Sequence, residues 1–275
     1  MSNFKKIFKT ENPVIGMIHF MPLLGYSGYP GIDEILNKAL KDLKALEKGR
    51  VDGIIIENNY DIPHKITVEP ETITCLTYLA KEIIKETKLP VGISVLWNDY
   101  KTALSVAKIC GAKFVRVPVF TDNVRTNYGD IFGNAKDVVL YRKKIKAQEI
   151  AVFTDIHVKH AILLSNDSLA DSARKAVNEG SDAIIITGKW TADAPNVSDL
   201  KEVRESVNDF PVLIGSGARK ENIVELLKYA NGVIVGTSIK TGVNNKKNVN
   251  IRGYNERIDV RKVKDFVKKF KESKI

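Results

Sequence analysis

The segment "PVLIGSGARKENIVELLKYANGVIVGTS" (residues 211–238) contains the repeating unit that decides the fold. A short apolar run leads through glycines into an amphipathic stretch, and a second short apolar run follows. Such a succession is typical of two parallel strands joined by a helix, since parallel strands need a long crossover connection.

The same strand–helix pattern recurs along the chain, and eight strands precede or overlap the segment. The predicted strands are "VIGMIH" from Val14, "GIIIEN" from Gly53, "VGISVLW" from Val91, "FVRVPV" from Phe114, "IAVFTD" from Ile150, "AIIITG" from Ala183, "PVLIGSG" from Pro211 and "GVIVGTS" from Gly232. Eight strands that alternate with eight helices predict an α/β fold, a single (β/α)8 TIM barrel. A doubly wound open sheet is the alternative, but no G-x-G-x-x-G follows the first strand.

We expect one domain over residues 1–275, with the barrel at about 13–272 and a basic, solvated lead at 1–12. Three irregular segments should form loops at the carboxyl end of the barrel: residues 21–31, 120–133 and 240–258. Active sites of TIM barrels lie at this end.

Composition excludes several classes of protein. No run reaches the roughly 18 apolar residues of a membrane span, and no apolar core of a secretory signal follows the N-terminus. The two cysteines, Cys75 and Cys110, are interpreted as buried apolar residues of a cytoplasmic protein. The net charge of +10 indicates a general attraction for anions rather than specific nucleic-acid binding. Peripheral membrane contact through the N-terminus is a weaker alternative.

The stretch "AVFTDIHVKHAI" (residues 151–162) holds the densest group of chemically useful side chains. Side chains of a strand alternate between its two faces. Alternation predicts that Asp155, His157 and Lys159 point into the barrel, while His160 falls on the other face or in the loop.

Other strand ends are also polar, and in "FVRVPV" Val115 and Val117 should face the helices and leave Arg116 inward. We interpret Asp155, His157, Lys159, Glu57, Asp99 and Lys189 as candidate catalytic residues. Candidate substrate-binding residues are His19, Asn58, Asn98, Arg116 and Thr187. Two simpler readings stay open: Arg116 and Glu57 could form a structural ion pair, and Asn98 or Asp99 could cap a helix.

The last two strands predict a phosphate site. Strand seven ends in Gly215, Ser216 and Gly217, and strand eight ends in Gly236, Thr237 and Ser238. Glycines let backbone N–H groups approach an anion, and the loops after these two strands commonly bind phosphate in TIM barrels.

These motifs together resemble the BtpA/SgcQ family over about residues 13–270. The matching stretches include "VIGMIHFMPLLG", "LPVGISVLWNDYKTAL", "AKFVRVPVF", "DIHVKHA", "SDAIIITGKWTADAP" and "PVLIGSGARKENI". The resemblance implies a phosphate-binding TIM barrel but settles no reaction. The chain departs from the family pattern at Trp97, Pro118 and Ala192, and in a longer loop at 244–256. These positions surround the expected mouth, which makes them candidates for a difference in substrate.

Four chemistries are compatible with the residues. Acid–base catalysis on a phosphorylated sugar or nucleotide-derived pentose phosphate is favoured, with isomerase, lyase and hydrolase unresolved. A Schiff-base aldolase could use Lys189 or Lys159. A divalent metal on Asp155 and the histidines is less favoured because Lys159 shares the face, so no metal or other cofactor is predicted. A non-catalytic binding or assembly factor is the last alternative. We expect a homo-oligomer on general grounds.

Overall fold

The computed structural model describes residues 3–242 and 253–273. Its central element is a closed barrel of eight parallel strands in the order β1-β11-β10-β9-β7-β4-β3-β2. These strands are β1 (Val14–His19), β2 (Gly53–Glu57), β3 (Val91–Ser94), β4 (Phe114–Val117), β7 (Ala151–Ile156), β9 (Ala183–Ile186), β10 (Val212–Ile214) and β11 (Gly232–Val235). The predicted TIM barrel is confirmed.

Helices cover the outside of the barrel. They are α2 (Ile32–Lys48), α3 (Pro70–Lys85), α4 (Tyr100–Cys110), α5 (Ala135–Lys144), α6 (Leu169–Asn178), α7 (Val197–Val207), the short α8 (Ile223–Leu226) and α9 (Val260–Glu272). Their buried stripes meet the outward strand residues, among them Val115, Val117 and Val152, in one continuous apolar layer. Both cysteines are buried in this layer without a disulfide.

A second apolar cluster fills the barrel itself. Phe114 and Phe153 stack inside it with ring centroids 4.6 Å apart. Phe4 of α1 (Asn3–Ile7) and Phe8 join this cluster and are 3% and 5% exposed. Solvation of the lead, expected for residues 1–12, therefore does not extend to Phe4 and Phe8, whereas Lys5, Lys6 and Lys9 are exposed. The two phenylalanines close the amino end of the barrel, because burying an aromatic ring is more favourable than leaving it in water.

The loop after β4, expected to be irregular, instead forms strands. β5 (Asn123–Thr126) and β6 (Gly129–Phe132) make a hairpin, and β8 (Ala161–Leu163) pairs antiparallel with β5. Under this three-stranded sheet lies a small buried cluster that includes Trp97, Val119 and Val158. The sheet consequently forms a wall over one side of the barrel mouth. The expected loop at 244–256 lies largely outside the described residues.

Candidate functional site

A buried charge pair spans strands β4 and β7 near the carboxyl end of the barrel. Arg116 Nε and Nη2 donate to the two oxygens of Asp155 at 2.8 and 2.7 Å. The side chains are 5% and 1% exposed. Burial acts to lower the pKa of Arg116, but the charge and hydrogen bonds of Asp155, with the charge of Glu57, outweigh it and raise the pKa above its ordinary value. Arg116 is a permanent cation held in one orientation.

Glu57 of β2 lies on the other side of Arg116. Its Oε2 is 3.8 Å from Arg116 Nη1 and accepts a hydrogen bond of 2.8 Å from Ser94 Oγ. Its Oε1 is 3.6 Å from His19 Nε2. The ion pair that the sequence allowed between Arg116 and Glu57 is present but long, because Arg116 pairs closely with Asp155 instead. Glu57 consequently remains beside the cavity.

His19 is held from its other side by Lys240, a residue that the sequence analysis missed. Lys240 Nζ is 3.1 Å from His19 Nδ1 and donates to the Tyr60 hydroxyl at 3.2 Å. Burial, followed by the charge of Lys240, lowers the pKa of His19 well below its usual range. His19 is thus neutral at physiological pH. A charged Lys240 bonded to Nδ1 favours the tautomer that carries its proton on Nε2.

Lys159 extends into the mouth beyond the end of β7. Its backbone N–H donates to Thr187 Oγ1 at 3.1 Å. Burial, and then the charge of Arg116, lower its pKa to about 8, although Glu57 and Asp155 oppose the shift. In the part of the chain that the structure describes, its ammonium group has no carboxylate within 4.0 Å, so the side chain is available to a ligand.

Two adjoining cavities occupy the mouth. The first has a volume of about 140 Å³ and the second about 190 Å³. Both are lined by Glu57, Asn59, Arg116, Lys159 and Thr191, so they meet over the charged residues. Asn59 was not predicted, although alternation places it two residues beyond Glu57.

All six residues of the predicted phosphate loops line the first cavity: Gly215, Ser216, Gly217, Gly236, Thr237 and Ser238. The hydroxyls of Ser216 and Ser238 donate to Asp193 O and Ala218 O, and so are used within the protein. Gly217 has φ 64°, and an added Cβ would lie 2.0 Å from Ala194 N. The fold alone therefore requires glycine at this position. Arg219, also missed by the sequence analysis, lines the same cavity.

The predicted inward orientation of His157 is wrong. Strand β7 ends at Ile156, and His157 has φ 44°, which breaks the alternation on which the prediction rested. Its backbone N–H donates to Asp122 Oδ2 at 2.8 Å, and the residue lines neither mouth cavity. Asp155 also lines neither cavity and pairs with Arg116, not with His157.

Four other predicted residues serve the scaffold rather than the cavity surface. Asp99 caps α4 by accepting from Thr102 N at 2.9 Å, and Asn98 bonds both backbone groups of Val119. Asn58 accepts from Leu96 N, and Thr187 holds the backbone of Lys159. The capping alternative for Asp99 is thus the observed arrangement.

Lys189 is exposed at its strand end and lines neither cavity, so the structure does not bring it to the other candidates. His160, with φ 62°, lies in the loop and lines the second cavity, where its Nε2 is 2.8 Å from Thr191 Oγ1.

No group of three or more His, Cys, Asp or Glu side chains in residues 3–242 and 253–273 is arranged to hold a metal ion. Within the same ranges no helix has the length and apolarity to cross a membrane.

Comparison with known proteins agrees with the resemblance seen in the motifs. The model of the BtpA family matches residues 10–272. The photosystem I biogenesis protein BtpA of Synechocystis is 37% identical over 94% of this chain and 88% of its own length. The putative sgc region protein SgcQ of Escherichia coli is 30% identical over 87% of this chain and 90% of its own.

A solved barrel, the N-(5'-phosphoribosyl)anthranilate isomerase of Pyrococcus furiosus, superposes with a TM-score of 0.55 at 16% identity. The match covers 95% of this chain and 99% of that one, and it supports the fold. The sequence relatives and the family model together settle the classification: the chain belongs to the BtpA family.

Proposed function

We propose that the protein is an enzyme that acts by acid–base chemistry on a phosphorylated sugar or nucleotide-derived pentose phosphate. The observation that carries the proposal is the first cavity. One side of it is formed by the loops 215–217 and 236–238, and the other by Glu57, Arg116 and Lys159. A phosphate at the loops would leave the rest of a small sugar over the charged groups.

Anion binding at the loops has support from charge as well as from backbone. Arg219 lines the cavity beside the first loop, and Lys159 lines it from across the barrel. Arg116 stays positive at every physiological pH, and Lys159 is mostly protonated below about pH 8. Cations in a partly enclosed cleft concentrate anionic substrates.

Lys159 and Glu57 are the best-placed acid–base pair. A group with a pKa near 8 can both lose and regain a proton close to neutral pH, which a general acid or base requires. Glu57 carries a carboxylate fixed by Ser94 and Arg116. Asp155 would act as a positioning residue, since it touches Arg116 and not the cavity.

A Schiff-base mechanism is the second candidate, and the lowered pKa of Lys159 favours it. A neutral amine can attack a substrate carbonyl, and desolvation next to another cation is a known way to obtain one. Lys159 takes this role in place of Lys189, which is outside the cavities. Borohydride would trap the resulting imine as a mass adduct that disappears in Lys159→Met.

The test is a panel of phosphorylated pentoses and hexoses followed by NMR. We expect turnover of at least one member by the wild type and by the control Lys113→Met, whose lysine is exposed on the barrel surface. Lys159→Met and Glu57→Gln should retain the fold and lose turnover. If the wild type binds these compounds but does not turn them over, a non-catalytic binding or assembly role is favoured instead. One relative is named a photosystem I biogenesis protein, which is compatible with such a role. Wild-type rates in Lys159→Met would refute the assignment.

A further inference from the structure

The second cavity differs in chemistry from the first. Its walls include Ile62, Leu96, Trp97, Pro118, Tyr128 and Val158. Glycines and serines, by contrast, dominate the far side of the first cavity. Aromatic rings beside a cavity bordered by glycine loops are suited to a ligand with two unlike ends, one a flat ring and the other an anion.

The aromatic walls are fixed before any ligand arrives. Trp97 is 6% exposed and packs with Val119 and Val158 in the buried cluster beneath the three-stranded sheet. Tyr128 packs on the same cluster, and its ring meets the ring of His64 edge-on at 5.3 Å. A preformed wall lowers the entropic cost of binding a flat ring.

The histidines of this cavity are neutral. Burial, and then the charge of His160, lower the pKa of His64 to about 4. Burial, and then the charge of Lys159, lower the pKa of His160 to about 4 as well. Neither ring is charged at physiological pH. The cavity therefore offers uncharged aromatic faces, except where Glu57, Arg116 and Lys159 line both cavities.

The size indicates one ring. A cavity of about 150 Å³ is known to hold benzene, and this one is about 190 Å³. Trp97 and Pro118 line this cavity, while Ala192 lines the first one.

We infer that the second cavity binds a planar aromatic or heteroaromatic ring, joined to the phosphorylated sugar held in the first cavity. The inference rests on the proposed function and narrows its substrate class. A pyrimidine nucleoside 5'-monophosphate has the matching chemistry. Its phosphate would lie at the glycine loops and its base between Trp97 and Tyr128. The bond between sugar and ring would then lie over Glu57 and Lys159.

Tryptophan fluorescence tests the inference directly. The chain has two tryptophans, and Trp190 is 59% exposed and lines neither cavity. In full-length Trp190→Phe, emission reports on Trp97 alone. Uridine 5'-monophosphate, ribose 5-phosphate and uridine are titrated separately. We expect the nucleotide to change the emission and to bind about ten-fold more tightly than either fragment, the range of a stacked base.

Tyr128→Leu in the same background should remove most of that ten-fold gain and leave ribose 5-phosphate binding unchanged. Tyr78→Leu, at an exposed tyrosine of α3, is the matched control and should change neither. Equal affinities for ribose 5-phosphate and the nucleotide would overturn the ring site and leave the proposed function standing. Failure of every phosphate compound to bind would overturn both. A Tyr128→Leu variant that weakens both ligands equally would also overturn the ring site.

Discussion

Replacing Asp155 with asparagine should destabilise the protein through Arg116. The change keeps the shape of the side chain but removes its charge, and it leaves one acceptor for two guanidinium donors. Breaking a buried ion pair at one partner costs about 3–5 kcal/mol, because the other charge stays buried and unpaired. Arg116 still has Glu57 at 3.8 Å, so we expect the lower end, about 3 kcal/mol. Urea unfolding followed by circular dichroism measures the free energy directly.

The chain contains its own control for this experiment. Arg125 and Asp130 form the same two-bond arrangement, at 2.7 and 2.9 Å, on the exposed β5–β6 hairpin. Exposed pairs contribute little, so Asp130→Asn should leave unfolding nearly unchanged. Replacing both buried partners, in Arg116→Met with Asp155→Leu, should recover part of the lost stability. An Asp155→Asn variant as stable as the wild type, or an equal loss in both single variants, would refute the reasoning.

Three further predictions address the mouth and the opposite end of the barrel. Phosphate binding, measured by calorimetry, should weaken as pH rises through about 8, because Lys159 loses its charge there. Lys159→Arg should weaken less over the same range, since among the described groups at the mouth only Lys240 beside His19, whose pKa burial also lowers to about 8, still titrates; a flat wild-type profile would contradict this. Phe8→Ala should lower the free energy of unfolding by about 3–5 kcal/mol. A loss no larger than that of Lys9→Ala, at an exposed lysine, would argue against the closure of the amino end of the barrel by Phe4 and Phe8. Gly217→Ala should lower the melting temperature sharply. Gly236→Ala, whose Cβ would be 3.3 Å from Met17 Cβ, should lower it far less but should weaken phosphate binding, and the reverse order would disprove both assignments.

Within the strands, the sequence was sufficient to predict both the fold and the direction of side chains. Val115 and Val117 lie in the outer layer, while Phe114 belongs to the cluster inside the barrel and Arg116 points to the mouth. The reason is that backbone pairing holds each strand residue extended, so that a period of two is imposed on every side chain. The prediction that the Arg116 side chain points into the barrel rested on this period of two alone.

Beyond the last paired residue the same rule no longer applies. His157 follows β7 by one position and adopts a left-handed conformation, so its side chain leaves the face that Asp155 occupies. Asp99 and Asn98 follow β3 and bond backbone groups of neighbouring segments. A short polar residue after a strand satisfies local backbone groups as readily as it meets a substrate, and the one-letter sequence does not distinguish the two.

The aromatic lining of the second cavity comes from residues that are far apart in the chain. Trp97, Tyr128 and His160 come from three different connections and meet only because the β6-β5-β8 sheet folds over the barrel. No local pattern links them, and the hairpin that carries Tyr128 was itself read as an irregular loop. The charged residues that line both cavities, by contrast, come largely from the strands: Glu57 lies in β2 and Arg116 in β4. In this barrel, strand periodicity therefore predicts the charged residues that both cavities share, while the aromatic wall of the second cavity comes from connections whose fold the sequence pattern does not reveal.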